Sequence, residues 1–156
     1  MRKSLSIPEW HDLVVGGNAP PVRILISGYS MFPLIRYQKD YVTIVALDAP
    51  PKVGDVVLFV DPPKDRYVLH RVWRVEADRA LTWGDNCDYA DGWIPISDIW
   101  GKAVQVERGR RTIHMNVRRG MLWASFWHRA GRVYRFARRI RNGLARRIKR
   151  LLLRGR

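Results

Sequence analysis

Residues 22–35 read VRILISGYSMFPLI. Val22, Ile24 and Ile26 alternate with Arg23, Leu25 and Ser27, the period-two pattern of a strand rich in β-branched side chains. Gly28 ends the run, Ser30 follows two residues later, and Pro33 fixes the far side of the bend. Such a bend is either a turn without chemistry or a way to hold one hydroxyl out at the edge of a sheet.

The surrounding sequence decides what kind of sheet. After the bend come DYVTIVAL (40–47), DVVLFV (55–60), YVLHRVWRV (67–75), ALTW (80–83), IWGKAVQVE (99–107) and RTIHMNV (111–117). Proline pairs in DAPPKVGD and DPPKD separate the early runs, and proline cannot sit inside a ladder. With VRILIS (22–27) this makes seven short strands at regular spacing, which predicts an all-β sandwich or a rolled barrel.

The chain has 156 residues, enough for one domain with a real core. Its formal charge of +15 is not evenly spread: residues 1–107 hold 12 Lys+Arg against 14 Asp+Glu, and residues 108–156 hold 17 Lys+Arg and no acid. A near-neutral body with a cationic tail is the pattern of a protein that meets phosphate, on lipid or on nucleic acid. Cys87 is the single cysteine, so an intrachain disulfide is impossible and a cysteine zinc site is not expected. The N-terminus MRKSLSIPEWHDLVVGG is interrupted by Glu9, His11 and Asp12, which predicts neither a signal peptide nor a membrane span.

Three signals carry chemistry. Ser30 needs a base within hydrogen-bond reach to act as a nucleophile. His70 is the candidate: on a strand it shares a face with Val68 and Val72, where it is either a satisfied core histidine or a partly desolvated base. WGDNCDYAD (83–91) supplies carboxylates, and either Asp85 or Asp91 could reach the second ring nitrogen of His70 and fix its tautomer. A calcium loop is the rival reading of this segment, but Cys87 and Tyr89 stand where oxygen ligands should alternate.

In this order and spacing the segments resemble the signal peptidase I and LexA-type serine peptidases. SGYSMFPLI is similar to the family's Ser-Met-x-Pro nucleophile box. QKDYVTIVAL and VGDVVLFV resemble the two strands that follow it. YVLHRV and WGDNCDYAD resemble the base strand and acidic loop of the archaeal and endoplasmic-reticulum branch, where histidine is the base, and IWGKAVQV the closing strand. The resemblance implies a mainly β fold, a signal peptidase/LexA-like rolled sheet or sandwich. It implies Ser30 as nucleophile, His70 as general base, Asp91 as assisting acid and Asp85 as an accessory carboxylate of the turn. Gly28, Tyr29, Met31 and Pro33 would shape the bend and the floor of a groove for an extended peptide, and the N–H groups of Ser30 and Tyr29 would meet the oxyanion. Gly28 and Tyr29 fill places where many signal peptidases carry serine and glycine. No metal or cofactor is implied.

The predicted organisation is an N-terminal extension (1–21), a catalytic β domain (22–117) and a basic amphipathic helical tail (118–156). In the tail, Trp123, Trp127, Ala130, Tyr134, Ala137, Leu144, Ile148 and Leu151 recur at helical steps, with arginines on the other side. Trp123, Trp127 and Tyr134 suit the interface of an anionic membrane. The stripe could instead pack on the body. Nucleic acid is the less favoured partner, because large apolar residues line one whole side. The expected function is cleavage of leader or signal-like peptides on the cytoplasmic face of a membrane. The alternatives are a non-catalytic membrane- or nucleic-acid-binding module and a self-cleaving LexA-type regulator. The last is disfavoured because that branch uses lysine as base and no Ala-Gly pair precedes Ser30.

Overall fold

The computed structural model describes residues 6–61, 66–115 and 119–130. Among the described residues it is mainly β: eight antiparallel strands with one helix before them and one after. Helix α1 (Ile7–Val15) precedes β1 (Val22–Leu25), β2 (Asp40–Ala46), β3 (Val56–Asp61), β4 (Arg66–Val75), β5 (Arg79–Trp83), β6 (Gly92–Pro95), β7 (Ile99–Arg108) and β8 (Arg111–His114). A short 3-10 turn, Ile96–Asp98, joins β6 to β7, and a second helix, α2, covers 119–130. The strands run in the order β1-β2-β7-β3-β4-β5-β6, and β8 pairs with β7 beyond the reach of β3.

All seven expected strands are present, with described ends displaced by up to two residues; positions 116–117 of the last expected strand lie outside the described residues. The eighth, β6, escaped the sequence reading because GWIP is short and carries both Gly92 and Pro95. The helix α1 was also missed. Its N-terminus is a capping box, in which Glu9 N–H donates to Ser6 Oγ (3.3 Å) and Ser6 N–H to Glu9 Oε2 (2.9 Å). Residues 6–15 are no appendage: Trp10 is fully buried in the core, and its indole N–H donates to Pro20 O at 2.7 Å.

β3 and β4 are buried on both faces, so the sheet serves two apolar clusters. Val56, Leu58 and Leu69 pack with Trp10, Met31, Ile35, Val42 and Ile44 on one side. Val57, Phe59, Val68 and Val72 pack with Ala80 and Ile99 on the other. This is why VVLF is a continuous apolar run while its neighbours alternate. The bend after β1 is tied down by Asp40, which is wholly buried and accepts from Arg36 and Arg108 (Nη2 to Oδ2, 2.7 Å); Arg108 also donates to Leu34 O at 2.9 Å. Burial pushes the Asp40 carboxyl up, but hydrogen bonds from Arg108 and Arg36 outweigh it and hold the pKa below the usual range.

Candidate active site

Strand parity puts His70 on the face of Val68 and Val72, as the alternation in YVLHRVWRV predicts, with the ring edge against Phe59. His70 is 4% exposed. Its Nδ1 lies 2.6 Å from Asp91 Oδ2, a carboxylate oxygen that also accepts the Thr82 hydroxyl at 2.9 Å. Asp91 is held in place by its own N–H, which donates to Thr82 O at 2.9 Å, just before β6 begins. A proton on Nδ1 facing the carboxylate leaves Nε2 as the working nitrogen.

Nε2 faces the turn after β5. Cys87 Sγ stands 4.0 Å from it. A β-carbon placed on Gly84 would come within 2.8 Å of Nε2, 2.7 Å of Cys87 Sγ and 2.9 Å of the Ser30 carbonyl oxygen. These distances leave no room for any residue but glycine. They also place the Ser30 backbone beside the His70 ring. Asn86 locks that arrangement: its N–H donates to Ser30 O (2.7 Å) and its side-chain amide to Tyr29 O (3.1 Å). The Ser30 bend, the His70 strand and the 83–91 turn, distant in sequence, therefore meet at one point.

Ser30 itself is half-buried. Among the described residues its hydroxyl makes no hydrogen bond to His70, and its backbone N–H has no protein acceptor. The bend is closed by Phe32 N–H donating to Tyr29 O (3.1 Å) and Ile35 N–H to Met31 O (2.9 Å).

The other predicted residues divide. Gly28 and Tyr29 are exposed, and Tyr29 stacks on Tyr37. Met31 is no part of a groove floor; it is buried in the core and anchors the bend from beneath. Pro33 lines a cavity behind the bend, away from His70. Asp85 does not approach His70. Its two oxygens accept Arg71 Nε (2.8 Å) and Nη2 (2.7 Å) in a buried pair on the opposite face of β4. The choice left open between the two carboxylates is thereby resolved geometrically: Asp91 meets the imidazole. With Asp85 and Asp91 turned to opposite faces, the turn does not gather oxygens as a calcium loop must.

Thr82 and Cys87 were not singled out by sequence. Thr82 could have been, since it pairs with Val72 in register and so shares the His70 face. Cys87 carried no such signal.

Burial pushes the His70 pKa down, but the hydrogen bond that the ring donates to Asp91, and then the one with Cys87, outweigh it and raise the pKa from 6.5 to about 9. The imidazole is thus held as a cation at neutral pH.

Helix α2 lies against the body. Ala124 and His128 are buried, the His128 ring sits between Trp73 and Trp83 (5.0 and 4.1 Å between centroids), and Trp127 meets Phe32 edge-on. Leu122, Trp123 and Phe126 remain exposed. The expected apolar stripe therefore splits, Trp127 turning to the body and Trp123 partly outward. Tyr134 and the tail beyond 130 lie outside the described residues. No helix among the described residues is long and apolar enough to cross a membrane.

No model of a known protein family matches the sequence, and no curated protein matches it.

Proposed function

We propose that this chain is a serine endopeptidase of the signal peptidase and LexA type, cleaving leader or signal-like peptides at a membrane surface. The observation that carries the reading is His70, whose Nδ1 is bound to Asp91 while its Nε2 faces the turn that holds the Ser30 backbone.

In the proposed reaction the peptide lies extended over the bend, adding a strand at the exposed Gly28–Tyr29 segment. The Ser30 Oγ attacks the scissile carbonyl as His70 Nε2 takes its proton. Asp91 stabilises the imidazolium and holds the ring in orientation. The tetrahedral oxyanion is met by the Ser30 N–H. His70 then returns the proton to the leaving amine, and the resulting ester is hydrolysed by water through the same nitrogen.

Only the neutral imidazole can act as base, so kcat/KM on a peptide substrate should rise with pH and level off above about 9. Peripheral attachment rests on the exposed Leu122, Trp123 and Phe126 and on the cationic sequence that follows them.

The decisive experiment assays purified wild type and Ser30→Ala on a peptide library. Wild type should cleave and the variant should lose at least about a thousandfold in rate, the scale of losing a covalent nucleophile. Equal cleavage by both removes Ser30 from the mechanism. The binding-module reading predicts instead that neither cleaves and that removing 118–156 alone abolishes membrane association.

A further inference from the structure

The turn that carries Asp91 also carries a sulfur. Cys87 is the single cysteine of the chain. A cysteine buried among apolar side chains is inert packing. Cys87 stands elsewhere: it is half-buried on the turn after β5, and Asp88, Tyr89 and Ala90, next in sequence, are exposed. Its Sγ lies 4.0 Å from His70 Nε2, while His70 Nδ1 lies 2.6 Å from Asp91 Oδ2. A thiol and a carboxylate are thus linked through one ring, the arrangement in which an imidazole manages the proton of a nucleophilic sulfur. We propose that Cys87 is a reversible modification site, whose sulfur exchanges with small-molecule disulfides and carries the adduct in front of His70 Nε2.

Local structure holds the sulfur in place. The Cys87 N–H donates to Gly84 O at 3.0 Å, and the Trp83 indole N–H donates to Cys87 O at 3.1 Å. These two bonds close the turn and fix the backbone from which the thiol projects. Gly84 keeps the gap clear, since a β-carbon there would fall 2.7 Å from Sγ and 2.8 Å from Nε2.

Charge supplies the reactivity. Thiolate is the attacking form, and reactive cysteines sit beside cations in partly exposed surroundings. His70, with its pKa raised to about 9, is such a cation at neutral pH, and its Nε2 proton faces the sulfur. In the exchange, the Cys87 thiolate attacks one sulfur of a disulfide RS–SR. The Sγ–S bond forms as the S–S bond breaks, and the departing RS⁻ takes the Nε2 proton and leaves as RSH. The products are Cys87–S–S–R, a neutral His70 and one thiol, with the added disulfide as the oxidant. The chain has no second cysteine to displace the group from within, so release needs an external thiol.

The position of the adduct follows from the same distances. The Gly84 β-carbon position that is 2.8 Å from Nε2 is also 2.9 Å from the Ser30 carbonyl oxygen. A group on Sγ therefore fills the space between the imidazole and the Ser30 bend. Modification takes His70 away from Ser30 and stops cleavage, a consequence that alone rests on the peptidase reading.

The test treats the full-length protein at pH 7 with 2-hydroxyethyl disulfide, a small uncharged probe, and follows the adduct by intact-protein mass spectrometry. One group per chain is expected, mapped to Cys87 and removed by dithiothreitol. Its rate should exceed that of N-acetylcysteinamide in the same buffer by about tenfold, because an ordinary thiol is only a few per cent thiolate at that pH. His70→Ala should forfeit this advantage. Because that variant can perturb folding, Asp91→Asn is measured beside it. It keeps the ring but weakens its hold on the proton, and should slow the exchange at least about threefold. In a parallel peptide-cleavage assay, treated wild type should lose most of its rate and recover it with dithiothreitol, while Cys87→Ala keeps its own untreated rate. The proposal is overturned if wild type reacts no faster than the free thiol, or if a folded Asp91→Asn reacts as wild type does. Cleavage that persists in fully modified wild type overturns the position of the adduct. A chain that takes up the group as expected but never cleaves peptide keeps the modification site and removes the peptidase reading.

Discussion

Two adjacent residues of β4 hold two carboxylates in two ways. His70 faces one side of the sheet and meets Asp91; Arg71 faces the other and meets Asp85. Arg71 is sealed: Nε and Nη2 bind Asp85, Nη1 donates to Gly54 O at 2.9 Å, and a β-carbon on Gly120 of α2 would come within 2.7 Å of Nη1. His70 binds Asp91 through one nitrogen and turns the other toward the Ser30 bend, with the Cys87 sulfur 4.0 Å away as its partner. A pair with all three guanidinium nitrogens engaged, and buried, can only hold structure. One whose second nitrogen is held only by a distant thiol, beside a backbone bend, can also move a proton.

The largest expected effect lies on the sealed side. Arg71→Ala leaves Asp85 buried without its partner, which costs about 3–5 kcal/mol when a buried pair is broken. A shift of the urea midpoint at unchanged slope would show it. Replacing both members together, as in Arg71→Met with Asp85→Leu, should cost far less. If Arg71→Ala unfolds no more easily than wild type, the pair is not structural and the contrast fails.

The open side should instead reveal itself in pH. With His70 raised from 6.5 to about 9, the folded state holds its proton more tightly than the unfolded chain. That stabilisation is fully present below about pH 6.5 and is lost as pH rises through about 9. Its size is on the order of 3 kcal/mol for a shift of this extent. Asp91→Asn removes the carboxylate, so burial then dominates, the His70 pKa falls, and the decline between pH 6.5 and 9 should flatten. Urea unfolding of both proteins across that window measures it. An unchanged slope in Asp91→Asn would assign the raised pKa elsewhere.

Parity along YVLHRVWRV made the two faces of β4 legible, because alternation on a strand requires no tertiary knowledge. Which carboxylate met which residue was not legible. Asp85 and Asp91 lie in one turn-rich segment, and its path over the end of the sheet, set by Asn86 bonding to Tyr29 and Ser30, decides the matter. The Ser6-x-x-Glu9 capping signature was present and would have announced α1. β6 had no such sign, since Gly92 and Pro95 disfavour a strand and only pairing with β5 makes one. The cavity behind the bend was invisible for a plainer reason: its walls come from segments far apart in the chain.

Gly84 joins the two faces, being next to Asp85 in sequence and next to Nε2 in space. Gly84→Ala should cost roughly 1–3 kcal/mol, the range for overpacking a tight site. Ser30 O and the imidazole must separate to admit the methyl group, so peptide cleavage should suffer more than stability does. A variant that is as active as wild type would mean that the bend and the base need not touch.

The smallest expected effect concerns Cys87, and it sharpens the open side most. Asp91 holds His70 at 2.6 Å through a carboxylate, while the Cys87 sulfur stands 4.0 Å from the other nitrogen. Both raise the His70 pKa, Asp91 the more strongly. Cys87→Ala should therefore lower the midpoint of the pH–rate profile while leaving it above 6.5, because Asp91 remains. Asp91→Asn should lower it further. The His70 ring proton resonances, followed by NMR titration, give the same midpoint without a substrate. If Cys87→Ala moved it as far as Asp91→Asn, the thiol would be the principal partner of the imidazole, and Nε2 would be committed to sulfur rather than available to Ser30.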